Sequence, residues 1–574
     1  MIAGNPTLVW GGLAFLMASA GTGILSWRLP RVRGSWPFLG ALVCGLTFLA
    51  MRLSEVGSMR YHPGDTFNYL ALAQAITEGR DPFYEKRLPF YPLLLIPGHL
   101  GLMDPVLWGQ LVSVFAGAAT VVLVYLLGRG LRLTPLASLL AAAFLAVNAA
   151  LGGVSLRALA NAPYAAMVVL SAWLYTRVQG WRSAALLGLA LGATAMTRHE
   201  GFLVAGVLLV GLLGGFRPTR GQWLNLLAAG LVFFVAVLPY GISTTVRYGV
   251  PFYSLYAQDE ALNVVTGSEA MRRNGEELLR LIVGVGGEAP HLQGRDLAQA
   301  VVLITGVLLV WLLGRRAPGP WPWLALGAAL AGAAGLVGWY ADRQLAIIEL
   351  LVPLVLSVTS IGLVRFLLPF CWHRWAMALV LVMQLLVVVM IQFYGRIFLP
   401  AIPFLSLFFG VGAAMLLEGV EWRGLVQRVA LTAPSIVMLA TMLALTFLAS
   451  AQTARRGLAG VEEERGEDIF ALTTVRSLKS LEGTIAFGQD PLPARYYLQP
   501  RFLSLPGGQT VLSPEGERAW LEARRPEYVV WYSGWPQFGW LLDDGASVGY
   551  ERERAFSHET SRGHWEMVLL RRVG

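Results

Sequence analysis

The residues best suited to chemistry in this sequence stand at the edges of apolar runs. Asp65 lies in "YHPGDTFNYL", after one hydrophobic stretch and before the next. A carboxylate in that position can act as a general base, taking a proton from a hydroxyl as it attacks. Aspartate is also a favoured helix N-cap, and Gly64-Asp65 precedes a helical run. The two roles are compatible, since capping fixes the carboxylate in place. Three arginines share the setting: Arg198 in "AMTRHEGFLV", Arg343 in "YADRQLAIIELL" and Arg396 in "YGRIFLPAIPFL". An arginine against apolar segments is costly unless it is paired or solvated. Each taken singly reads equally as a snorkelling interfacial anchor. Three of them, beside His199, Glu200 and Asp65, point to a shared anionic ligand. Arginine suits phosphate because its planar fork donates two parallel hydrogen bonds and stays charged.

The elements that must position these residues are membrane spans. The chain has 574 residues, of which 56% are hydrophobic and 14% charged, where a soluble domain carries about a quarter charged. Apolar runs of about 20 residues recur through the first 450 positions. The formal charge of +9 is almost wholly arginine, since Lys86 and Lys479 are the only lysines. In a membrane protein such an excess marks cytoplasmic loops before it marks a nucleic-acid partner. About 14 spans are expected, at 7–27, 36–53, 105–128, 135–151, 162–178, 183–197, 201–216, 223–240, 299–314, 321–340, 344–368, 375–394, 397–418 and 429–449. Basic clusters at Arg28/Arg31/Arg33, Arg129/Arg132, Arg177/Arg182, Arg217/Arg220, Arg315/Arg316, Arg374 and Arg423/Arg428 fall at every second loop, which places those loops in the cytoplasm. The first span has no basic residues before it, and reads as a retained anchor over 1–35 with its N-terminus outside. Cys44 and Cys371 lie in or beside apolar segments, so no disulfide framework is expected.

With that orientation the loops 54–104 and 241–298, the turns near 152–161 and 197–200, and everything after about residue 450 face outward. "TFNYLALAQAITEG" could lie as a helix in the interface plane, and "MRRNGEELLRLIV" is a second amphipathic stretch. Residues 451–574 carry more charge and short strand-like runs, "GTIAFG", "RFLSLP", "EYVVWY" and "WEMVLLRRV". They read as a small external α/β domain, long enough to fold by itself. The fold class is thus a polytopic α-helical membrane protein, with a catalytic core over 36–450 and a small external C-terminal α/β domain.

Several motifs, in order, resemble the GT-C glycosyltransferases that use polyprenyl-phosphate-linked sugars, such as protein O-mannosyltransferases and the aminoarabinose transferases of lipid A. "GDTFNYLALAQAITEGRDPFYEKRLPFYPLLL" is similar to their first external loop, and "TRHEGFLV" to their Arg-x-Glu-Gly turn. "RYGVPFYSLYAQ" resembles a Tyr-Gly-x-Pro segment, and "GRIFLPAIPFLSLF" an Arg-x-x-Leu-Pro-x-x-Pro motif on a late span. The resemblance covers most of residues 36–418 and implies a GT-C fold. It aligns Asp65 with the family's catalytic aspartate, a base for an inverting transfer. It implies that Arg396 binds the lipid phosphate and stabilises it as leaving group, with Arg198 and Arg343 as further phosphate candidates. Glu200, His199, Tyr69, Arg157 and Asn161 would shape the site. Two positions depart from the pattern: Thr66 follows Asp65 where glutamate is usual, and Asn161 in "SLRALANAPY" stands where an acidic residue is expected. The second argues against a two-carboxylate mechanism and, with the first, against a metal site, since hard cations want several oxygen ligands. No His/Cys cluster has zinc spacing; His62 and His99 read as interfacial packing.

The expected function is an inverting membrane glycosyltransferase at the outer face of the plasma membrane. It would need no cofactor, and its partners would be a polyprenyl-phosphate-linked sugar, a glycan, lipid or protein acceptor and the bilayer, with no nucleic acid. Two alternatives stay open: a non-catalytic relative serving envelope assembly, which Asn161 allows, and a transporter or flippase of lipid-linked glycans. Transporters tend to show repeats and broken helices near the midplane, whereas the ionisable residues here gather toward one face.

Overall fold

The computed structural model describes residues 36–56, 65–79, 87–101, 103–215 and 218–252, and parts of 358–418 and 475–573. The expected spans 7–27, 299–314, 321–340 and 429–449, the loop 253–298, and Arg343, Arg396 and His62 lie outside these residues. The described chain divides into two compact units. One comprises residues up to 58 together with 76–455, and the other joins residues 59–75 to 456–574.

The first unit is a helical bundle. Its elements are α1 (Trp36–Leu53), α3 (Phe90–His99), α4 (Pro105–Gly130), α5 (Pro135–Ala146), α6 (Ala149–Ser155), α7 (Asn161–Tyr175), α8 (Trp181–Thr197), α9 (Glu200–Gly211), α10 (Arg220–Tyr248), α11 (Trp372–Met390) and α12 (Ile402–Glu418); α2 (Asp65–Thr77) precedes α3 in the chain. Among the described residues, α4 and α10 are long and apolar enough to cross a membrane, and several shorter helices are strongly apolar. Small residues set the closest approach. Gly188 and Gly192, four apart on α8, face Ala229 and Ala236 of α10; a Cβ added at Gly188 would collide with the Ala229 carbonyl oxygen. This is the small-xxx-small packing by which helices associate where no hydrophobic force drives them together.

Three boundaries differ from the apolar runs. The run 135–151 breaks after Ala146, because the Asn148 side chain accepts from the Leu151 amide and starts α6. A buried asparagine inside an alanine-rich run caps a new helix rather than continuing the old one. Helix α10 continues eight residues past the expected end at 240. Thr244 and Thr245 hydroxyls bond the Tyr240 and Gly241 carbonyls just after Pro239, and the helix stops only at Gly249, whose φ of 73° is left-handed. The loop 54–104 holds a helix, α3, that its prolines had concealed.

Helix ends gather at two edges. The Tyr175 hydroxyl and the Trp372 indole both donate to the Gly211 carbonyl, at 2.9 and 3.0 Å. Arg374 Nε donates to the Leu131 carbonyl at 3.3 Å. The ends of α4, α7 and α9 therefore meet the start of α11 at one edge, and the turn 198–200 lies at the other end of α9.

The second unit contains α2 and an α/β domain. Its strands are β1 (Ile485–Phe487), β2 (Phe502–Ser504), β3 (Tyr528–Tyr532), β4 (Tyr550–Thr560) and β5 (Gly563–Arg572), with helices α13 (Pro514–Arg524) and α14 (Leu541–Asp544). The sheet order is β2-β1-β3-β5-β4; β1 is parallel to β2 and β3, and β5 is antiparallel to β3 and β4. Ile485, Phe487, Val530, Tyr532, Met567 and Leu569 form a core on one face, and Ala486, Val529, Val568 and Leu570 join Leu521 and Phe538 on the other. That alternation is the period of two that a sheet covered on both faces requires. Strand β4 was not legible, since the exposed "ERER" run after Tyr550 looks like surface loop.

Candidate functional site

Asp65 is the first residue of α2 and is half-buried. A carboxylate in the first helical turn is held by the positive end of the helix dipole. Thr66 and Tyr69, one turn on, are 1% and 4% exposed. Phe67, Leu70, Leu72 and Ala73 are buried as well, so α2 is enclosed on most of its circumference. A helix lying in an interface plane would leave a polar face open, and α2 is not of that kind.

Arg198, His199 and Glu200 form the turn between α8 and α9. Arg198 and Glu200 make a two-pronged pair: Nε to Oε2 at 3.2 Å and Nη2 to Oε1 at 2.8 Å. Both side chains are only 12% exposed. The guanidinium also lies over the Tyr164 ring, 5.8 Å from its centroid. Tyr164 is itself fixed, because Gln384 Nε2 of α11 donates to its hydroxyl at 3.2 Å. Asn161 starts α7 three residues before Tyr164, which puts both on one face of that helix. Arg157 is half-buried in the turn before it. Four of the expected residues, Asn161, Arg198, His199 and Glu200, are thereby brought to one end of the bundle. His99 ends α3 in the same unit.

The reading from sequence missed Arg87, Tyr164, Tyr240 and Gln384. Leu88 and Phe90 pack with Ala195, Met196 and Tyr240, which carries Arg87 close enough for its charge to act on His199. Arg87 lies in the stretch quoted above for its resemblance, so a signal existed. Tyr164, Tyr240 and Gln384 sit in apolar helices with nothing local to separate them from packing residues.

Electrostatics set the charge states of the turn. Burial pushes the Glu200 carboxyl up, and the charge and hydrogen bonds of Arg198 overcome this, so it is held below its ordinary value and stays ionised. Burial lowers His199 to about 4, against the opposing pull of Glu200 and helped by Arg198 and Arg87. Its Nε2 is 3.1 Å from the Tyr240 hydroxyl. The ring is therefore neutral at neutral pH.

A stability effect follows from His199. Its folded value lies below the unfolded one of about 6.5, so as pH falls the unfolded chain gains the proton first. The contribution is whole above about pH 6.5 and is lost as pH falls towards 4. The thermal midpoint of the detergent-solubilised protein is expected to fall across that window, and to fall less steeply in His199→Gln. Equal slopes would remove His199 from the account.

No protein-family profile matches the sequence, and no curated protein matches it. Solved structures do match. An oligosaccharyltransferase from Archaeoglobus fulgidus, tethered with an acceptor peptide containing the NVT sequon, matches with a TM-score of 0.54 and 14% identity, over 87% of this chain and 69% of its own. ArnT from Cupriavidus metallidurans bound to undecaprenyl phosphate matches with a TM-score of 0.52 and 13% identity, over 93% and 98%. Its apo state gives 0.54 and 12%, over 91% and 97%. At such identities the likeness is one of fold, and it extends along nearly the whole of this chain and of ArnT. The chain thus shares the fold common to this oligosaccharyltransferase and to ArnT.

Proposed function

We propose that the protein is an inverting, membrane-embedded glycosyltransferase that moves a sugar from a polyprenyl-phosphate donor to an acceptor hydroxyl at the outer face of the plasma membrane. The observation that carries this reading is the fold shared over nearly the whole chain with a protein solved bound to undecaprenyl phosphate. The arginine-bearing turn Arg198–Glu200, with Arg87 near enough to act on His199, supports it, since a lipid phosphate is the anion such a donor would bring.

In the proposed reaction Asp65 takes the acceptor's proton as the hydroxyl oxygen attacks the anomeric carbon. The bond from that carbon to the phosphate oxygen breaks on the opposite side, and polyprenyl phosphate leaves with the electron pair. Arginines stabilise the charge that develops on the leaving phosphate. Arg396 and Arg343 remain proposed for this role, and Arg87 joins them, because the fork of Arg198 is already engaged by Glu200. Tyr69 is buried one turn beyond Asp65, which suits shaping the site better than touching sugar. The acceptor class, whether glycan, lipid or protein, is left open by these residues. The substitution Asn161 keeps a non-catalytic envelope role as the alternative.

The experiment is reconstitution in vesicles with labelled undecaprenyl-phosphate sugars and envelope extract as the acceptor source. Label is expected to move to extract components, and transfer is expected to survive EDTA. Thr66 and Asn161 stand where carboxylates could have joined Asp65, and one carboxylate seldom holds a divalent ion. Transfer abolished by EDTA and restored by Mn²⁺ or Mg²⁺ would overturn the metal-free mechanism. No transfer with any donor would favour the envelope role.

A further inference from the structure

The edge where α4, α7 and α9 end and α11 starts carries charge that the proposed transfer does not use. It holds Arg129, Arg132, Arg177, Arg365, His373 and Arg374, and all but the half-buried Arg374 are exposed. Contacts across the helix ends gather them. Arg374 reaches the Leu131 carbonyl, and the charge of Arg365 acts on it. The charge of Arg132 acts on His373, whose ring stands 5.1 Å from that of Tyr175. Gly130 abuts Thr176, which brings the chain at Arg129 to the chain at Arg177. Among the described residues no carboxylate pairs with any of these groups. Like charges so placed repel one another unless an anion lies among them.

The backbone at Arg132 is a second, independent observation. Helix α4 ends in a Schellman turn: the Arg132 amide donates to the Arg129 carbonyl at 3.1 Å, and the Leu133 amide to the Gly128 carbonyl at 2.9 Å. The residue between is left-handed, and Arg132 holds it with a φ of 60°. Glycine is the usual occupant, because a side chain is strained there. The helix end itself gives no reason for an arginine, since the Arg129 guanidinium already donates to the Leu133 carbonyl. Strain of this kind persists where the side chain has a task. Trp181 and Trp375 are 62% and 44% exposed at the same edge, and exposed indoles mark the level of lipid headgroups. They favour a lipid over a soluble acidic partner. We infer that this edge binds the phosphate headgroup of an anionic phospholipid, with Arg132, Arg365 and His373 supplying donors. The turn 198–200 lies at the other end of α9, so this edge is distinct from the candidate site, and the assignment does not depend on the transfer proposed above.

Native mass spectrometry of the full-length protein in detergent tests it, with dioleoylphosphatidylglycerol and dioleoylphosphatidylcholine as probes. Phosphatidylglycerol is expected to bind saturably and more tightly than phosphatidylcholine. Arg132→Gly should weaken it about fivefold, the worth of one arginine at an anionic surface. The thermal midpoint should hold or rise, because glycine relieves the left-handed position. Arg220→Gln, at the start of α10 and outside the contacts above, removes the same charge and should leave binding intact. Should Arg132→Gly fail to fold, Arg365→Gln gives the deciding measurement, with the same loss expected. Equal binding of the two lipids, or equal loss in Arg132→Gly and Arg220→Gln, would overturn the assignment. So would displacement of the lipid by millimolar inorganic phosphate, which would make the edge a phosphate site instead.

Discussion

Asp65→Asn is expected to cut sugar transfer by about 10²–10⁴-fold, the contribution of a positioned general base. The variant should fold and should still bind undecaprenyl phosphate. The substitution is nearly isosteric, and asparagine serves a helix start about as well as aspartate. What it removes is the capacity to take a proton. Asp65→Ala would be less informative, because it also disturbs the start of α2. The measurement is initial rate in vesicles at saturating donor, with donor binding followed separately. A variant that keeps its rate within a few-fold would reduce Asp65 to a helix-starting residue, and with it would go the proposed base.

Arg198→Ala is expected to destabilise the protein by about 3–5 kcal/mol, the usual cost of removing one partner from a buried ion pair. The cause is Glu200, left ionised and enclosed with its two-pronged partner gone. The Tyr164 ring would lose the cation above it as well. Loss of activity in this single variant would therefore say little about catalysis. The double variant Arg198→Met/Glu200→Met separates the roles, since replacing both charges by apolar groups of similar size is often nearly neutral. Its thermal midpoint should recover most of the loss. If Arg198 also meets the donor phosphate, undecaprenyl phosphate binding stays weak in the recovered protein. Restored binding would make the pair purely structural, and would move the phosphate role to Arg87 and to the proposed Arg396. A single variant with an unchanged midpoint would show that Glu200 finds another partner.

Much of the helical framework was legible, and the reasons are physical. Helix α1 matches its apolar run, and α4 and α8 start within two residues of theirs, because Asp104-Pro105 and Gly180-Trp181 mark the starts with cap and turn chemistry. The break at Asn148 was hidden because hydropathy is continuous across it. The extension of α10 was hidden because Pro239 and Gly241 read as an end, whereas neighbouring threonine hydroxyls satisfy backbone carbonyls there. In the α/β domain the apolar strands announced themselves, and β4 did not. Edge strands carry charge that blocks pairing with other chains, and "YERER" is that kind of sequence. The Arg198–Glu200 turn was visible because charges in apolar surroundings stand out. Tyr164 and Gln384, which fix Arg198 from below, were not, since their role exists only through contacts between α7, α8 and α11.

The partition of the chain has a consequence for biosynthesis. The segment 59–75, with Asp65 at the head of α2, forms one compact unit with residues 456–574. The nascent chain therefore makes its proposed base early, yet cannot begin to complete the unit that houses it until residue 456 has been passed. At about 5–20 residues per second, the helix waits on the order of 20–80 s before residue 456 is made, with its apolar side chains uncovered. That interval is a window for holdase chaperones, and a reason for messages truncated before the last segment to yield inert protein. Until residues 456–574 follow, Asp65 stands outside the unit that holds it, so its setting is fixed by the order in which the two segments are made.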